Sequence, residues 1–211
     1  MSPECNSSQL PRLFCKPIDF DHDEKPLYHS RAFSLNGAVS FRSLTLDTDI
    51  DFLYEWVNKP YSKRFWQLEG SKSILYNTCR ETLDNPHAHS YIGCFNHQPV
   101  CQVDLYLIAA DELKNHVVWE LEDCGLHLLM LPPQQSLKGL SAIMLQHFIR
   151  YYFSFPQASR LYAEPDRDNI LANRLAEKSG LRFQKHVTLS YKTASLFLIT
   201  KQIFHETYRN A

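Results

Sequence analysis

Three stretches of this 211-residue chain carry side chains whose types and spacing suit chemistry. The first, Gln135-Ser136-Leu137-Lys138-Gly139-Leu140-Ser141, falls between an apolar strand-like run and a helical one. At such a junction the unpaired N–H groups of the first helical turn point outward at the positive end of the helix dipole, which makes an anion site. Lys138 can add a point charge, Gly139 lets a phosphate approach the backbone, and Ser141 can cap the turn or donate its hydroxyl. The plainer reading is an ordinary strand-to-helix loop. The second stretch, Tyr162-Ala163-Glu164-Pro165-Asp166-Arg167-Asp168-Asn169, brings carboxylates to the start of another helix, where Asp166 or Asp168 can simply accept a backbone N–H. The third is a lone imidazole, His127 in Gly125-Leu126-His127-Leu128-Leu129. Taken by itself, a histidine in so apolar a run is a hydrogen-bonded core residue. Cys5, Cys15, Cys79, Cys94, Cys101 and Cys124 show neither C-x-x-C nor Cys/His zinc spacing, so they read as reduced, mostly buried groups, and no metal is expected.

Positioning these groups falls to elements that the periodicity marks out. Phe41-Arg42-Ser43-Leu44-Thr45-Leu46 alternates as a strand; Asp47 or Thr48 then caps a helix with Ile50, Phe52, Leu53, Trp56 and Val57 on its apolar face, stopped by Pro60. A second helix begins near Ser71 and ends at Asn85-Pro86. Strands over 89–96 and 99–108 form a hairpin about Asn96-His97-Gln98-Pro99. The run 125–131 is apolar enough for a strand buried on both faces. Then follow a helix over 139–152, a strand over 160–164, a helix over 169–179 closed by Gly180, and strands over 183–190 and 194–204. This order predicts an α/β (α+β) chain with a mixed central sheet, a parallel central pair flanked by helices, and an antiparallel end. Residues 1–31 read as an arm or loosely attached segment and 32–211 as one domain.

Composition bounds the function. With 44% apolar and 21% charged residues the chain folds, and 22 basic against 23 acidic side chains give a net charge of −1, which excludes nucleic-acid binding by bulk charge. Six glycines leave no glycine-rich phosphate cradle, so an anionic ligand must be met locally. The N-terminus lacks the basic start and apolar run of a signal peptide, and no run approaches membrane-spanning length, so the expectation is a cytoplasmic protein without a membrane partner.

The strand and helix of the second stretch, running on through Ala172-Asn173-Arg174-Leu175-Ala176-Glu177-Lys178-Ser179-Gly180-Leu181-Arg182-Phe183, resemble the closing half of a GNAT acyl-CoA-dependent N-acyltransferase. The resemblance narrows with Gly125-Leu126-His127-Leu128-Leu129, Glu164-Pro165-Asp166-x-x-Asn169, Tyr191-Lys192-x-Ala194-x-Leu196, Phe65-Trp66-Gln67-x-x-Gly70 and Asp104-Leu105-Tyr106. Together, spread over residues 41–204, they resemble the N-acyltransferases of hydroxamate-siderophore biosynthesis, which acylate N-hydroxylated lysine, cadaverine or putrescine. Two positions depart from the family pattern: Ser141 stands where a second glycine is usual, and Asp104 where a Glu is usual.

The resemblance implies a GNAT fold and transfer of a succinyl or acetyl group from acyl-CoA to a hydroxylamine nitrogen. It implies His127 as the base that removes the proton of the attacking nitrogen, with Asp166 as its carboxylate and Asp168 left as the helix cap. Trp66, Gln67, Asp104, Tyr106 and Lys192 would surround the acceptor. Leu129, Gln135, Ser136, Leu137, Lys138, Gly139, Leu140, Ser141, Asn169 and Asn173 would hold coenzyme A. The implied enzyme is a monomer or homodimer that hands its hydroxamate to a separate siderophore synthetase. Two other readings stay open: an aminoglycoside-type N-acetyltransferase, and a non-catalytic module that binds acyl-CoA.

Overall fold

The computed structural model describes residues 10–18, 25–66, 70–131 and 137–208. In chain order the elements are β1 (Tyr28–Ala32), β2 (Gly37–Ser43), α1 (Leu46–Val57), α2 (Pro60–Trp66), α3 (Lys72–Asp84), β3 (Ala88–Phe95), β4 (Gln98–Leu107), β5 (Cys124–Met130), α4 (Leu140–Phe153), β6 (Arg160–Ala163), α5 (Ile170–Lys178), β7 (Arg182–Thr188), β8 (Thr193–Thr200) and α6 (Lys201–Tyr208). The strands form a sheet in the order β1-β2-β3-β4-β5-β6-β8-β7. Among the described residues only β5 and β6 pair in parallel; their neighbours on both sides are antiparallel. This is the mixed sheet with a parallel central pair that the element order predicts.

Local chemistry accounts for most boundaries. The β3–β4 turn places Asn96 and His97 at φ 48° and 67°, two successive left-handed residues of the kind that match the twist of a tight hairpin. Ser71 caps α3 by accepting the Ile74 N–H. At α1 neither Asp47 nor Thr48 is the cap: the helix starts after Thr45, and Asp49 reaches back to accept the Thr45 N–H at 2.8 Å. Asp49 is also gripped by Arg42 through two bonds of 2.6 Å, which ties β2 to the start of α1. Pro60 ends α1 but also opens α2, because a proline has no N–H to miss in a first helical turn. The helix cap expected at Asp168 is instead Asn169, which accepts the Ala172 N–H at 3.1 Å.

Helices cover both faces of the sheet. On one side Met144, Phe148, Ile149 and Tyr152 of α4 pack against Phe41, Tyr91, Leu105 and Leu126. On the other, Leu53, Trp56, Leu75 and Cys79 of α1 and α3 cover Ile92 and Leu129. A third cluster, with Leu113, Tyr162, Val187 and Leu196, fills the end where β7 and β8 curl over.

The N-terminal arm is held more firmly than the sequence suggests. Leu13 and Cys15 are buried in the main core, and Lys16 Nζ donates to the carbonyls of Leu83, Asn85 and Ala88. β1, whose first four residues Tyr28–Arg31 lie in the 1–31 segment, pairs with β2 over five residues. Among the described residues no helix is long and apolar enough to cross a membrane.

Candidate active site

The site begins where β5 and β6 part. They stay in register for three pairs, ending at Leu126 with Ala163; β5 then runs on beside β4 to Met130, while the chain after β6 turns away along β8. The next residues on either side of the fork are His127 and Glu164, and they meet: His127 Nε2 lies 2.5 Å from Glu164 Oε1.

The fork also opens a row of amides. Leu131 N–H donates to Val100 and Ile108 N–H donates to Asp123, so the odd-numbered residues of β5 turn their peptide groups toward β4. The even-numbered ones, Leu128 and Met130, face the side that β6 has left. Leu128 N–H therefore points into the fork, where a donor for a developing oxyanion belongs.

Glu164 is buried, and every carboxylate oxygen is used. Oε1 faces His127 and, at 3.5 Å, Lys192 Nζ; Oε2 accepts the Tyr106 hydroxyl at 2.8 Å. Burial alone would raise its pKa, but the His127 cation, the bond to it, Lys192 and the tyrosine hydroxyl together hold it down to about 2. Burial likewise pulls His127 down, yet Glu164 outweighs it and the imidazole ends above its ordinary value. The carboxylate is thus ionised at neutral pH. It accepts the Nε2 proton, which leaves Nδ1 of neutral His127 as the basic nitrogen, and Nδ1 has no hydrogen-bond partner among the described residues.

A cleft of about 200 Å³ surrounds this pair. Its apolar side is Leu126, Leu128 and Leu145 from β5 and α4 with Ala172, Leu175 and Ala176 from α5; its polar side is His127, Glu164, Asp166 and Lys192. Phe65 and Trp66 at the end of α2 close one flank, and Trp66 stands edge-on to the imidazole at a centroid distance of 6.4 Å. The Tyr106 ring lies 5.0 Å from it on the β4 side. Asp104 is the cross-strand partner of His127, and its Oδ1 accepts from Ser90 and, at 2.9 Å, from Gln102. Burial pushes the Asp104 carboxyl up. The structure therefore brings Trp66, Asp104, Tyr106, His127 and Lys192 together; Gln67 lies outside the described residues.

The expected pairing of His127 with Asp166 is replaced. Asp166 lines the cleft, but its Oδ1 accepts the Asp168 N–H at 2.8 Å and its carbonyl accepts from Asn173. The reason is register: Leu126 opposite Ala163 puts the next residue, Glu164, beside His127, two positions before Asp166. Glu164, at the head of the Glu-Pro-Asp phrase, is thus the carboxylate that meets His127, a residue absent from the expected set. Its position one residue past the short strand Arg160–Ala163 was the available signal.

Of the residues expected to hold coenzyme A, Gln135 and Ser136 lie outside the described residues. Lys138 and Gly139 are exposed at the start of α4, where Gly139 takes φ 94° and offers no capping side chain, so the Ser141 and Ala142 amides have no partner among the described residues. Leu137 and Leu140 turn inward to the core. Leu129 is set otherwise than expected: its side chain is buried against α1 and α3 and its peptide faces β4, so Leu128 is the β5 residue that addresses the fork. Asn169 borders the cleft, while Asn173 spends its amide on the carbonyls of Asp166 and Asn169, at 2.9 and 2.7 Å, and locks the loop below it.

A mixed sheet whose parallel central strands part over an imidazole–carboxylate pair, beside a helix begun at an uncapped glycine, is the architecture of a GNAT acetyltransferase. The chain belongs to that family: the acetyltransferase (GNAT) domain matches residues 45–189. It is 29% identical over 171 residues to an Escherichia coli N(6)-hydroxylysine O-acetyltransferase, covering 79% of this chain and 53% of that protein. It is 26% identical over 184 residues to a Serratia marcescens aminoglycoside N(6')-acetyltransferase type 1, covering 83% of this chain and 90% of that one. Lysine N-acyltransferase MbtK of Mycobacterium tuberculosis is 24% identical over 82% of this chain and 83% of its own length. The chain spans about half the length of the first two curated relatives it matches. Among solved structures, an uncharacterized Bacillus halodurans protein superposes with a TM-score of 0.82 at 25% identity, covering 89% of this chain and 97% of that one.

Proposed function

We propose that this chain is an acyl-CoA-dependent N-acyltransferase that moves an acetyl or succinyl group onto the hydroxylamine nitrogen of an N-hydroxylated diamine or N6-hydroxylysine, making a hydroxamate for siderophore assembly. The observation that carries the reading is the His127–Glu164 pair at the strand fork, beside an open amide and under the Trp66 and Tyr106 rings. Similarity to proteins named for hydroxylysine and lysine acylation supports the acceptor class.

The thioester lies in the fork with its carbonyl oxygen toward Leu128 N–H, and the pyrophosphate lies at the open start of α4 near Lys138. A hydroxylamine nitrogen carries a free lone pair near neutral pH, so it attacks the thioester carbon without prior deprotonation. As the C–N bond forms the nitrogen becomes cationic, His127 Nδ1 takes its proton, and the resulting imidazolium is stabilised by Glu164. Collapse of the intermediate breaks the C–S bond and releases the CoA thiolate. Trp66 and Tyr106 supply an aromatic wall for the alkyl stem, and Asp104 a carboxylate for a distal ammonium.

The test is thiol release from acetyl-CoA or succinyl-CoA with N-hydroxycadaverine, N-hydroxyputrescine, N6-hydroxylysine and kanamycin as acceptors. Turnover with a hydroxylamine supports the proposal. Turnover with kanamycin alone supports the aminoglycoside reading instead, which the similarity to aminoglycoside acetyltransferases keeps in view. No turnover with any acceptor overturns both.

A further inference from the structure

The turn between β7 and β8 carries two residues that border the cleft, Tyr191 and Lys192, and a third that does not, Ser190. Ser190 is held from outside. Glu112, in the 3-10 turn Glu112–Asn115 between β4 and β5, accepts the Ser190 N–H at 2.8 Å with one carboxylate oxygen and the Ser190 hydroxyl at 2.7 Å with the other. The base of this clamp is rigid. Asp111 caps the 3-10 turn by accepting the Leu113 N–H, and Leu113 is fully buried among Val187, Leu189, Ala194 and Leu196 of the hairpin's own strands. On the far side of the turn Leu189 N–H donates to the Lys192 carbonyl at 2.8 Å, so fixing Ser190 fixes the residue two positions on.

We infer that Glu112 is a positioning residue for the active site: its two bonds to Ser190 set the β7–β8 turn so that Lys192 stays against Glu164. Neither Glu112 nor Ser190 borders the cleft, and charge-assisted bonds to both a backbone N–H and a hydroxyl define an orientation as well as a contact. The inference rests on the reading of His127 and Glu164 as the acid–base pair, but its direct readout is a titration that needs no substrate.

The groups facing His127 are Glu164 after β6, Lys192 on the turn, Asp104 and Tyr106 on β4, and, at longer range, Asp111 beside the 3-10 turn. Lys192 opposes protonation of the imidazole directly, and it also neutralises part of the Glu164 charge. Releasing Lys192 removes both effects, so the His127 pKa rises.

The experiment is a histidine NMR titration of the full chain, with the His127 signal assigned by its absence in His127→Gln. Glu112→Ala is expected to move the His127 midpoint up by about half a pH unit, the size expected when a charge several ångströms away is withdrawn. Glu112→Gln, which can still accept one of the two bonds, falls between. In a Lys192→Met background Glu112→Ala adds no further shift, because its effect passes through the missing ammonium. An unmoved midpoint in Glu112→Ala, or a shift that persists in Lys192→Met, overturns the inference. Should Glu112→Ala fail to fold, Ser190→Ala removes only the hydroxyl bond and is read by the same two criteria. A moved midpoint in a protein that turns over no acceptor would uphold the clamp while the proposed reaction fails.

Discussion

Tyr106 occupies the space that a side chain on Gly125 would need. The two face each other across β4 and β5, and a Cβ built at Gly125 falls 2.3 Å from the Tyr106 ring and hydroxyl oxygen. The missing side chain is what lets the ring lie flat over β5 and its hydroxyl reach Glu164. Gly125→Ala must therefore displace Tyr106 and the carboxylate that orients His127. We expect a loss of about 1–3 kcal/mol in denaturant unfolding, the usual cost of overpacking. Gly125→Ala combined with Tyr106→Leu should cost less than the sum of the single changes, since the clash is then removed.

His127→Ala removes the proposed base but none of the surfaces proposed for coenzyme A. The expected result is a fall in turnover of roughly 10²–10⁴-fold, the contribution of a positioned proton acceptor, with CoA affinity by calorimetry little changed. An unaltered rate would make His127 a structural residue.

The pH dependence follows from Glu164. Because Glu164 raises the His127 pKa, the neutral base is populated only above that raised value, and the rate rises with pH through it. Glu164→Gln removes the attraction, so the acid limb should move to lower pH while the plateau rate falls, the imidazole having lost the group that fixes its tautomer. The stability signs are opposite for the two partners. The His127 contribution is complete below about 6.5 and is lost as pH rises through its raised folded value. The Glu164 contribution is complete above 4.5 and is lost as pH falls toward about 2. Glu164→Gln should therefore flatten the acid branch of the stability profile, measured by thermal unfolding between pH 5 and pH 2.

How much of this was legible in the sequence depends on whether the signal is local. The Asn96-His97 turn, the Ser71 cap and the glycine start of α4 lie within a few residues of what they control, and each element falls where the sequence puts it. The long final strand does not: Thr200 ends β8 and its hydroxyl accepts the Ile203 N–H to begin α6, while Ile203 and Phe204 read equally well as more strand. β1 is a short edge strand whose residues acquire meaning only against β2. The partner of His127 was the hardest. Choosing Glu164 over Asp166 requires the offset between two strands separated by a whole helix, which neither strand's own residues encode. The anchoring of Lys16 is likewise non-local, since the carbonyls that hold it belong to the end of α3 and the start of β3.

The wall that carries Trp66 depends on an ion pair outside the cleft. Arg42 on β2 grips Asp49 with two bonds of 2.6 Å, and Asp49, 1% exposed, also caps the first turn of α1 through Thr45. α1 in turn leads through Asn58 into α2, which ends at Trp66 and is tied to β5 by the Tyr61 hydroxyl on the Met130 carbonyl at 2.9 Å. Removing either charge strands the other in a buried setting, which typically costs about 3–5 kcal/mol. Arg42→Met should therefore destabilise the chain more than Asp49→Asn, because the amide still caps Thr45 without leaving a bare carboxylate. In Asp49→Asn protein that remains folded, the entry angle of α1 is loosened and the Trp66 flank with it. The expected signature is a raised KM for the acceptor with the His127 titration unmoved; a changed midpoint would mean that α1 acts on the base itself.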